Sequence, residues 1–310
     1  MRYVFIINPT AGKENSFEKV SRQIHEFFKS NDEEYKIFKT AEKGDGTVIA
    51  RKEAQKGGEV TVFSVGGEGT TLEVVNGIAG CPNASFGIIP YGTGNDFVKT
   101  FGTAEDFRDL KSQISGEKIL IDAIKFEDMF VIDQCCCGMD AMVAANVGKF
   151  KKIAGGALAY NMSIIYTLFS KFKAKIKIAV DGKIMPVKKS LFMTCANAPF
   201  YGGGYKSAPT ANPSDGKLNY SIIKTGSKIK AVSILGEYKK GEHIKKPYCE
   251  YGECSNMEII SDTELPIVLD GEIVYRKNAK FRIIKNALKF NLPAKIAEKF
   301  KTEVRKTATV

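Results

Sequence analysis

The stretch EVTVFSVGGEGTTLEVVNGIAG, residues 59–80, decides the fold. Its first half is a short β-branched run, and its second half sets Leu72, Val75 and Ile78 at helical spacing, with Gly66, Gly67 and Gly69 between. A strand that feeds a helix through a glycine turn is one unit of a parallel sheet. On either side the alternation continues, with strand patterns RYVFII (2–7), EYKIFKT (34–40) and ASFGIIP (84–90), and helical patterns over 16–30 and 46–57. In the first of these helices Val20, Ile24, Phe27 and Phe28 recur at helical spacing, with Ser16 as a candidate N-cap. The pattern predicts a three-layer α/β/α domain over residues 1–120, whose ligand loops follow the carboxyl ends of its strands.

Beyond residue 120 the periodicity changes. ILIDAIKFE, MFVIDQCCC, AKIKIAVDGKI, KSLFMTCANA, KLNYSIIKTG, NMEIISD, LPIVLDGEIVY and AKFRIIKNALKFNL are short strand candidates separated by turn residues. Lys175, Lys177 and Ala179 alternate with Ile176, Ile178 and Val180 before Asp181-Gly182, the period of a half-buried strand entering a hairpin. An antiparallel β-sandwich over 121–292 is expected, interrupted by one helix over roughly 152–172. A tail over 293–310, with a basic helix over roughly 294–306, either faces lipid or docks on the first domain through Ala297, Phe300 and Val304 with its lysines solvated. The fold class is therefore α/β plus all-β.

At 310 residues, 44% hydrophobic and 26% charged, the chain suits two cored domains and excludes wholesale disorder. No apolar run approaches the ~18 residues of a spanning helix, and MRYVFIINPT lacks the pattern of a signal peptide. A net charge of +11 favours an anionic partner, without choosing between nucleic acid, a phosphorylated metabolite and an anionic membrane face. No nucleic-acid recognition motif or basic-aromatic platform accompanies that charge, so nucleic acid is not expected as a partner. The seven cysteines include the run 135–137, which reads as reduced, buried thiols of a cytosolic protein. With only His25 and His243, a zinc site has few imidazoles to draw on.

Four loops carry the chemistry. Asn8-Pro9-Thr10-Ala11-Gly12-Lys13 has small residues and a cation after the first strand, but is no Walker motif. Gly66–Thr71 combines three glycines with an acid at a helix start, a pattern suited to an anion. Tyr91-Gly92-Thr93-Gly94-Asn95-Asp96-Phe97 follows the next strand; Phe97 stands where a dinucleotide fingerprint wants its third glycine, so a second phosphate loop is the better reading. Asn212-Pro213-Ser214-Asp215-Gly216-Lys217 reads, on its own, as a hairpin turn.

Taken together, NPTAGK, GGEGTTLEVVNG, IPYGTGNDF, GMDA (138–141), YGGGYKSAPTANPSDGKL (201–218) and LDGE (269–272) resemble the diacylglycerol kinase catalytic-domain family, which includes bacterial soluble lipid kinases and is related to sphingoid-base kinases and more distantly to NAD kinases. The resemblance spans nearly the whole chain. It implies an ATP- and Mg²⁺-dependent kinase that phosphorylates the hydroxyl of a membrane lipid such as diacylglycerol, with the nucleotide in the cleft between the two domains. By that resemblance Asn8, Pro9, Thr10, Ala11, Gly12, Thr40, Gly67, Glu68, Gly69, Thr70, Thr71, Leu72, Glu73 and Thr93 contact ATP. Asp215 with the carbonyls of Asn212 and Lys217 holds Mg²⁺, Asp122 joins the metal network through water, and Glu272 is the base for the lipid hydroxyl. Glu272 solvated beside a plain Asp-Gly turn is the competing reading.

Glu68, a further catalytic candidate, stands where the family has Asp. The extra methylene displaces the carboxylate by ~1.5 Å, which leaves three readings: a re-packed active kinase, a slow one, or a nucleotide-binding regulatory protein without transfer. The presence of Asp122, Asp215 and Glu272 favours activity. An NAD-kinase-like or other soluble-metabolite kinase is the further alternative. A lipid substrate implies a cytoplasmic protein peripheral to the inner face of an anionic membrane. Leu158, Met162, Ile165, Phe169 and Phe172, followed by Lys171, Lys173 and Lys175, form a stripe that is core more often than a lipid-facing lid. Oligomeric state is not legible.

Overall fold

The computed structural model describes residues 1–12, 16–92, 94–150, 153–154, 156–169, 174–186, 190–224 and 228–298. The chain forms two compact units, Met1–Ile121 with Asn286–Val310, and Asp122–Lys285.

The first unit runs β1 (Arg2–Ile7), α1 (Ser16–Phe28), β2 (Glu34–Lys39), α2 (Asp45–Ala54), β3 (Val60–Gly66), α3 (Glu68–Ile78) and β4 (Ala84–Pro90), then the short α4 (Asp96–Lys99), α5 (Ala104–Arg108) and α6 (Leu110–Ile114). The strands pair in parallel in the order β4-β3-β1-β2. Every residue of β3 and β4 is buried, with the hydroxyls of Thr61 and Ser85 paired at 2.9 Å, which is why neither strand shows a polar solvent-facing alternation. Val20, Ile24 and Phe28 of α1 pack on Tyr3, Phe5 and Phe63. Burying each such side chain contributes about 1.5–3 kcal/mol. Because β1 connects to β2 on one side while β3 lies on the other, the switch point of the sheet falls between β1 and β3, at the loops 8–12 and 66–69.

The second unit contains most of β5 (Glu117–Phe126), then β6 (Met129–Val131), β7 (Gln134–Gly138), α7 (Met139–Phe150), α8 (Gly156–Phe169), β8 (Ile176–Val180), β9 (Lys183–Ile184), β10 (Ser190–Ala196), β11 (Leu218–Lys224), α9 (Lys228–Lys240), β12 (Cys249–Cys254), β13 (Asn256–Leu269) and most of β14 (Glu272–Leu292). Its antiparallel order is β12-β11-β10-β7-β13-β14, with β8 also on β13. The α/β-plus-β class is thus what the chain forms. Three helices replace the single interruption expected: α7 and α9 carry β-branched valine and isoleucine among small and basic residues, so neither propensity nor period separates them from strands.

Residues 286–292, expected in the sandwich, count with the first unit. Phe290 stacks among Phe86, Phe97, Phe101 and Phe107 at 5.0–6.1 Å between ring centroids. Asn291 Nδ2 donates to the Gln113 carbonyl at 2.8 Å. Residues 294–298 are helical and dock on α6: Ile296 and Ala297 are buried, and the Lys295 N–H donates to Ser112 Oγ at 3.0 Å. The remainder of the expected 294–306 helix lies outside the described residues.

Candidate active site

Asn8 ties the first loop together. Its Oδ1 accepts from the Thr10 N–H at 3.0 Å and the Thr10 hydroxyl at 2.8 Å, while its Nδ2 donates to Thr70 Oγ1 at 3.3 Å. Residues 8–12 are thereby fastened to the first turn of α3. The Gly66 carbonyl accepts from the amides of Tyr91 and Gly92 at 2.8 and 3.0 Å, which brings in the third loop. A Cβ on Gly92 would stand 2.6 Å from Gly67 Cα, so the two backbones approach this closely only because residue 92 is glycine. Gly67 is the N-cap of α3 and makes no side-chain cap bond. The helix end offers its first amides and the positive end of its dipole to an anion.

Not every expected nucleotide contact points toward that concavity. Thr71 Oγ1 lies 2.9 Å from Ser64 Oγ in the core, its N–H donates to the Gly67 carbonyl at 3.1 Å, and Leu72 is buried, so both residues are engaged within the fold. Thr40 is buried at the end of β2, its N–H on the Ile7 carbonyl at 3.0 Å. The Glu73 carboxylate accepts from Gly44 N–H at 2.8 Å and Gly46 N–H at 3.0 Å, capping the start of α2. Glu73→Ala should therefore lower stability in denaturant melts by about 1–2 kcal/mol, while nucleotide affinity of the folded protein stays near wild type. Glu68 Oε1 accepts from the Asp96 N–H at 3.2 Å, spanning the second and third loops. Thr93 lies outside the described residues.

In the second unit Asp122 is 1% exposed and stitched to the 212–217 turn. Its Oδ2 accepts from the Gly216 N–H at 2.6 Å, and its own N–H donates to the Pro213 carbonyl at 2.7 Å. Within the turn Asn212 Oδ1 accepts from Ser214 N–H at 3.1 Å and Asp215 Oδ1 from Lys217 N–H at 2.9 Å. Partial burial, with the nearby charges of Glu253 and Asp122, pushes the Asp215 carboxyl above its ordinary range, against the pull of Lys217. Such crowding of acids is what a cation relieves. Asn197, which donates to the Asp122 carbonyl, and Asn219, just beyond the turn, each bury an amide oxygen that has no hydrogen-bond partner. Among the described residues no three His, Cys, Asp or Glu side chains group as metal ligands; one carboxylate with main-chain oxygens is a donor set for a hard ion.

Glu272 opens β14 on a separate turn of the same unit, half-buried, opposite Leu269. The turn residues Asp270 and Gly271 both have positive φ, 45° and 84°. The Asp270 carboxylate accepts main-chain N–H groups of Ile132, Asp133 and Gln134 at 2.8–3.3 Å, which fixes the hairpin that presents Glu272. Burial pushes Asp270 up to about 6, against the pull of those amides.

Residues 2–126 match the diacylglycerol kinase catalytic domain, and residues 134–291 match the YegS C-terminal NAD kinase beta sandwich-like domain. The chain belongs to the diacylglycerol kinase catalytic-domain family. The chain is 27% identical to the diacylglycerol kinase of Staphylococcus carnosus (strain TM300), over 93% of its own length and 94% of the relative's. It is 28% identical to the diacylglycerol kinase of Bacillus subtilis (strain 168), over 86% and 88%. Its fold is similar to the crystal structure of a diacylglycerol kinase from Bacillus anthracis str. Sterne, with TM-score 0.74 at 22% identity, covering 95% and 98% of the two chains.

Two acids of this chain escaped sequence reasoning as individual residues. Asp270 reads as turn chemistry, because nothing local shows that its carboxylate reaches 138 residues back to Ile132. Asp140, inside GMDA, is wholly buried at the start of α7; its Oδ1 accepts the Ala141 N–H at 2.8 Å and burial pushes it up to about 7. The motif itself was the only available signal.

Proposed function

We propose that this lipid kinase transfers the γ-phosphoryl group of ATP to the hydroxyl of a membrane lipid such as diacylglycerol, with Mg²⁺, at the anionic cytoplasmic face of a membrane. The observation that carries the reading is the convergence of loops 8–12, 66–70 and 91–96 on the uncapped N-terminus of α3, a ready cradle for phosphates. In this reading Asn8–Gly12, Thr40, Gly67, Gly69–Thr71 and Thr93 line the nucleotide, with the first amides of α3 toward its phosphates. Asp215 and the carbonyls of Asn212 and Lys217 would hold the cation, and Asp122 keeps that turn in shape. Mg²⁺ supplies neutralisation of phosphate charge when bound. Glu272, on its fixed hairpin, accepts the proton of the attacking hydroxyl.

Attachment to the membrane is assigned to α8. The stripe expected more often as core is in part reversed: Leu158 and Ile165 are 59% and 57% exposed, and Tyr166 and Ile153 also face outward. The packed face is instead Ala159, Ser163 and Thr167, with Ser163 Oγ donating to the Val143 carbonyl at 2.6 Å. The side chain of Phe169, with Phe172, Lys171 and Lys173, lies outside the described residues. No described helix is long and apolar enough to cross a membrane. Exposed apolar side chains beside Lys149, whose ammonium lies over the Tyr166 ring, suit an interfacial rather than spanning role. Replacing Leu158 and Ile165 by Ser should weaken sedimentation with phosphatidylglycerol vesicles at least ~10-fold, given ~1.5–3 kcal/mol for each buried side chain, while a water-soluble short-chain diacylglycerol is still phosphorylated.

The test of function is an acceptor panel with γ-labelled ATP and Mg²⁺: diacylglycerol, a sphingoid base and NAD. Label in a lipid is expected. Label in NAD alone would overturn the reading.

A further inference from the structure

The Glu68 carboxylate is engaged with a neighbouring loop. Oε1 accepts the Asp96 main-chain N–H at 3.2 Å, and a Cβ on Gly94 would come within 2.5 Å of the same oxygen. The other end of the 91–96 loop hangs on the Gly66 carbonyl through the amides of Tyr91 and Gly92, and Asn95 Nδ2 donates to the Gly92 carbonyl at 2.5 Å. Gly66 thus holds the loop at its entry and Glu68 at its exit. An aspartate at 68 falls short by about one C–C bond, ~1.5 Å, which takes a 3.2 Å contact beyond hydrogen-bonding range.

We propose that Glu68 is a positioning residue: it clamps the third glycine loop onto the second, and acts on phosphoryl transfer by fixing that loop against the nucleotide rather than by touching the reacting atoms. The inference rests on the kinase reading above. Its chemical content is that position 68 needs an acceptor oxygen at glutamate's reach, not a negative charge. Glutamine has that oxygen on a stem of the same length, whereas aspartate keeps the charge and loses the reach. Gly94 belongs to the same device, since any side chain there collides with the Glu68 carboxylate.

Full-length wild type, Glu68→Gln, Glu68→Asp, Gly94→Ala and the double variant Glu68→Asp/Gly94→Ala should be compared in three ways. These are ATP KM and kcat with dioleoylglycerol in phosphatidylglycerol vesicles, Mg·ADP affinity by calorimetry, and amide exchange at Asp96 with the core strand Val60–Gly66 as the global control. Glu68→Gln should stay within about threefold of wild type in every readout. Glu68→Asp should raise ATP KM and weaken Mg·ADP about tenfold, the worth of one lost hydrogen bond, with faster exchange at Asp96 and unchanged exchange in the core strand. Gly94→Ala should harm the wild type yet be nearly neutral when residue 68 is Asp, the coupling expected of groups in contact. The proposal is overturned if Glu68→Asp equals or exceeds wild type with Asp96 still protected. It is also overturned if Glu68→Gln loses ~100-fold in kcat with that amide undisturbed, or if Gly94→Ala costs the same in both backgrounds. A wild type that transfers to no lipid would sink the kinase reading instead, and Mg·ADP affinity with Asp96 exchange would still decide the role of Glu68.

Discussion

Glu272→Gln should reduce turnover by about 10²–10⁴-fold, the usual contribution of a general base, while leaving the dissociation constant for Mg·ATP unchanged. The substitution keeps size and hydrogen-bonding shape, and the hairpin beneath it is held independently by Asp270 on the amides of Ile132, Asp133 and Gln134. A stability loss is therefore not expected, and a thermal melt run alongside the kinetics checks this. Turnover equal to wild type would remove Glu272 from the chemistry and leave positioning and charge stabilisation to supply the rate.

Asp215→Asn is the second large effect. The amide oxygen still accepts from the Lys217 N–H, so the turn keeps its shape, but the only side-chain anion assigned to the cation is gone. At limiting Mg²⁺ the loss in kcat/KM should be about 10²-fold, comparable to removing one strong stabiliser of developing charge. Raising Mg²⁺ should recover part of it, and a titration at several concentrations separates weakened binding from lost chemistry. The protonation of Asp215 adds a direction. Because burial and the neighbouring acids raise its pKa, protons compete with the cation at higher pH than they would at an ordinary carboxylate. Mg²⁺ affinity of the wild type should thus fall as pH drops through the raised pKa, and that part of the pH dependence should be absent in Asp215→Asn.

Much of the first unit was legible because its signals are local and mutually consistent. Strands buried on both faces give short, mostly apolar runs without a charged residue, and Gly92 marks a place where two backbones must approach closely. Less of the second unit was legible. Cys135–Gly138 runs straight into α7, and only Gly138, at φ 109°, marks the change from strand to helix. The stripe on α8 shows why an apolar period alone does not fix which face is packed: the small residues Ala159, Ser163 and Thr167 let α7 approach closely, and the large ones remain outside. Side-chain partners were not legible where they are remote in sequence. Glu73 sits beside the glycine loop in sequence, yet its carboxylate belongs to α2, 27 and 29 residues away. The Asp122–Gly216 bond joins residues 94 apart, a proximity available beforehand only through the resemblance of the whole chain to lipid kinases.

The most direct measurement is mass analysis of the lipid fraction after the purified protein is incubated with ATP, Mg²⁺ and diacylglycerol-containing phosphatidylglycerol vesicles. The expected result is a phosphate ester on the diacylglycerol hydroxyl, formed one-for-one with ADP and missing when Glu272→Gln replaces the wild type. Lipids recovered unchanged, with ATP bound but intact or its phosphate delivered to NAD, would contradict it.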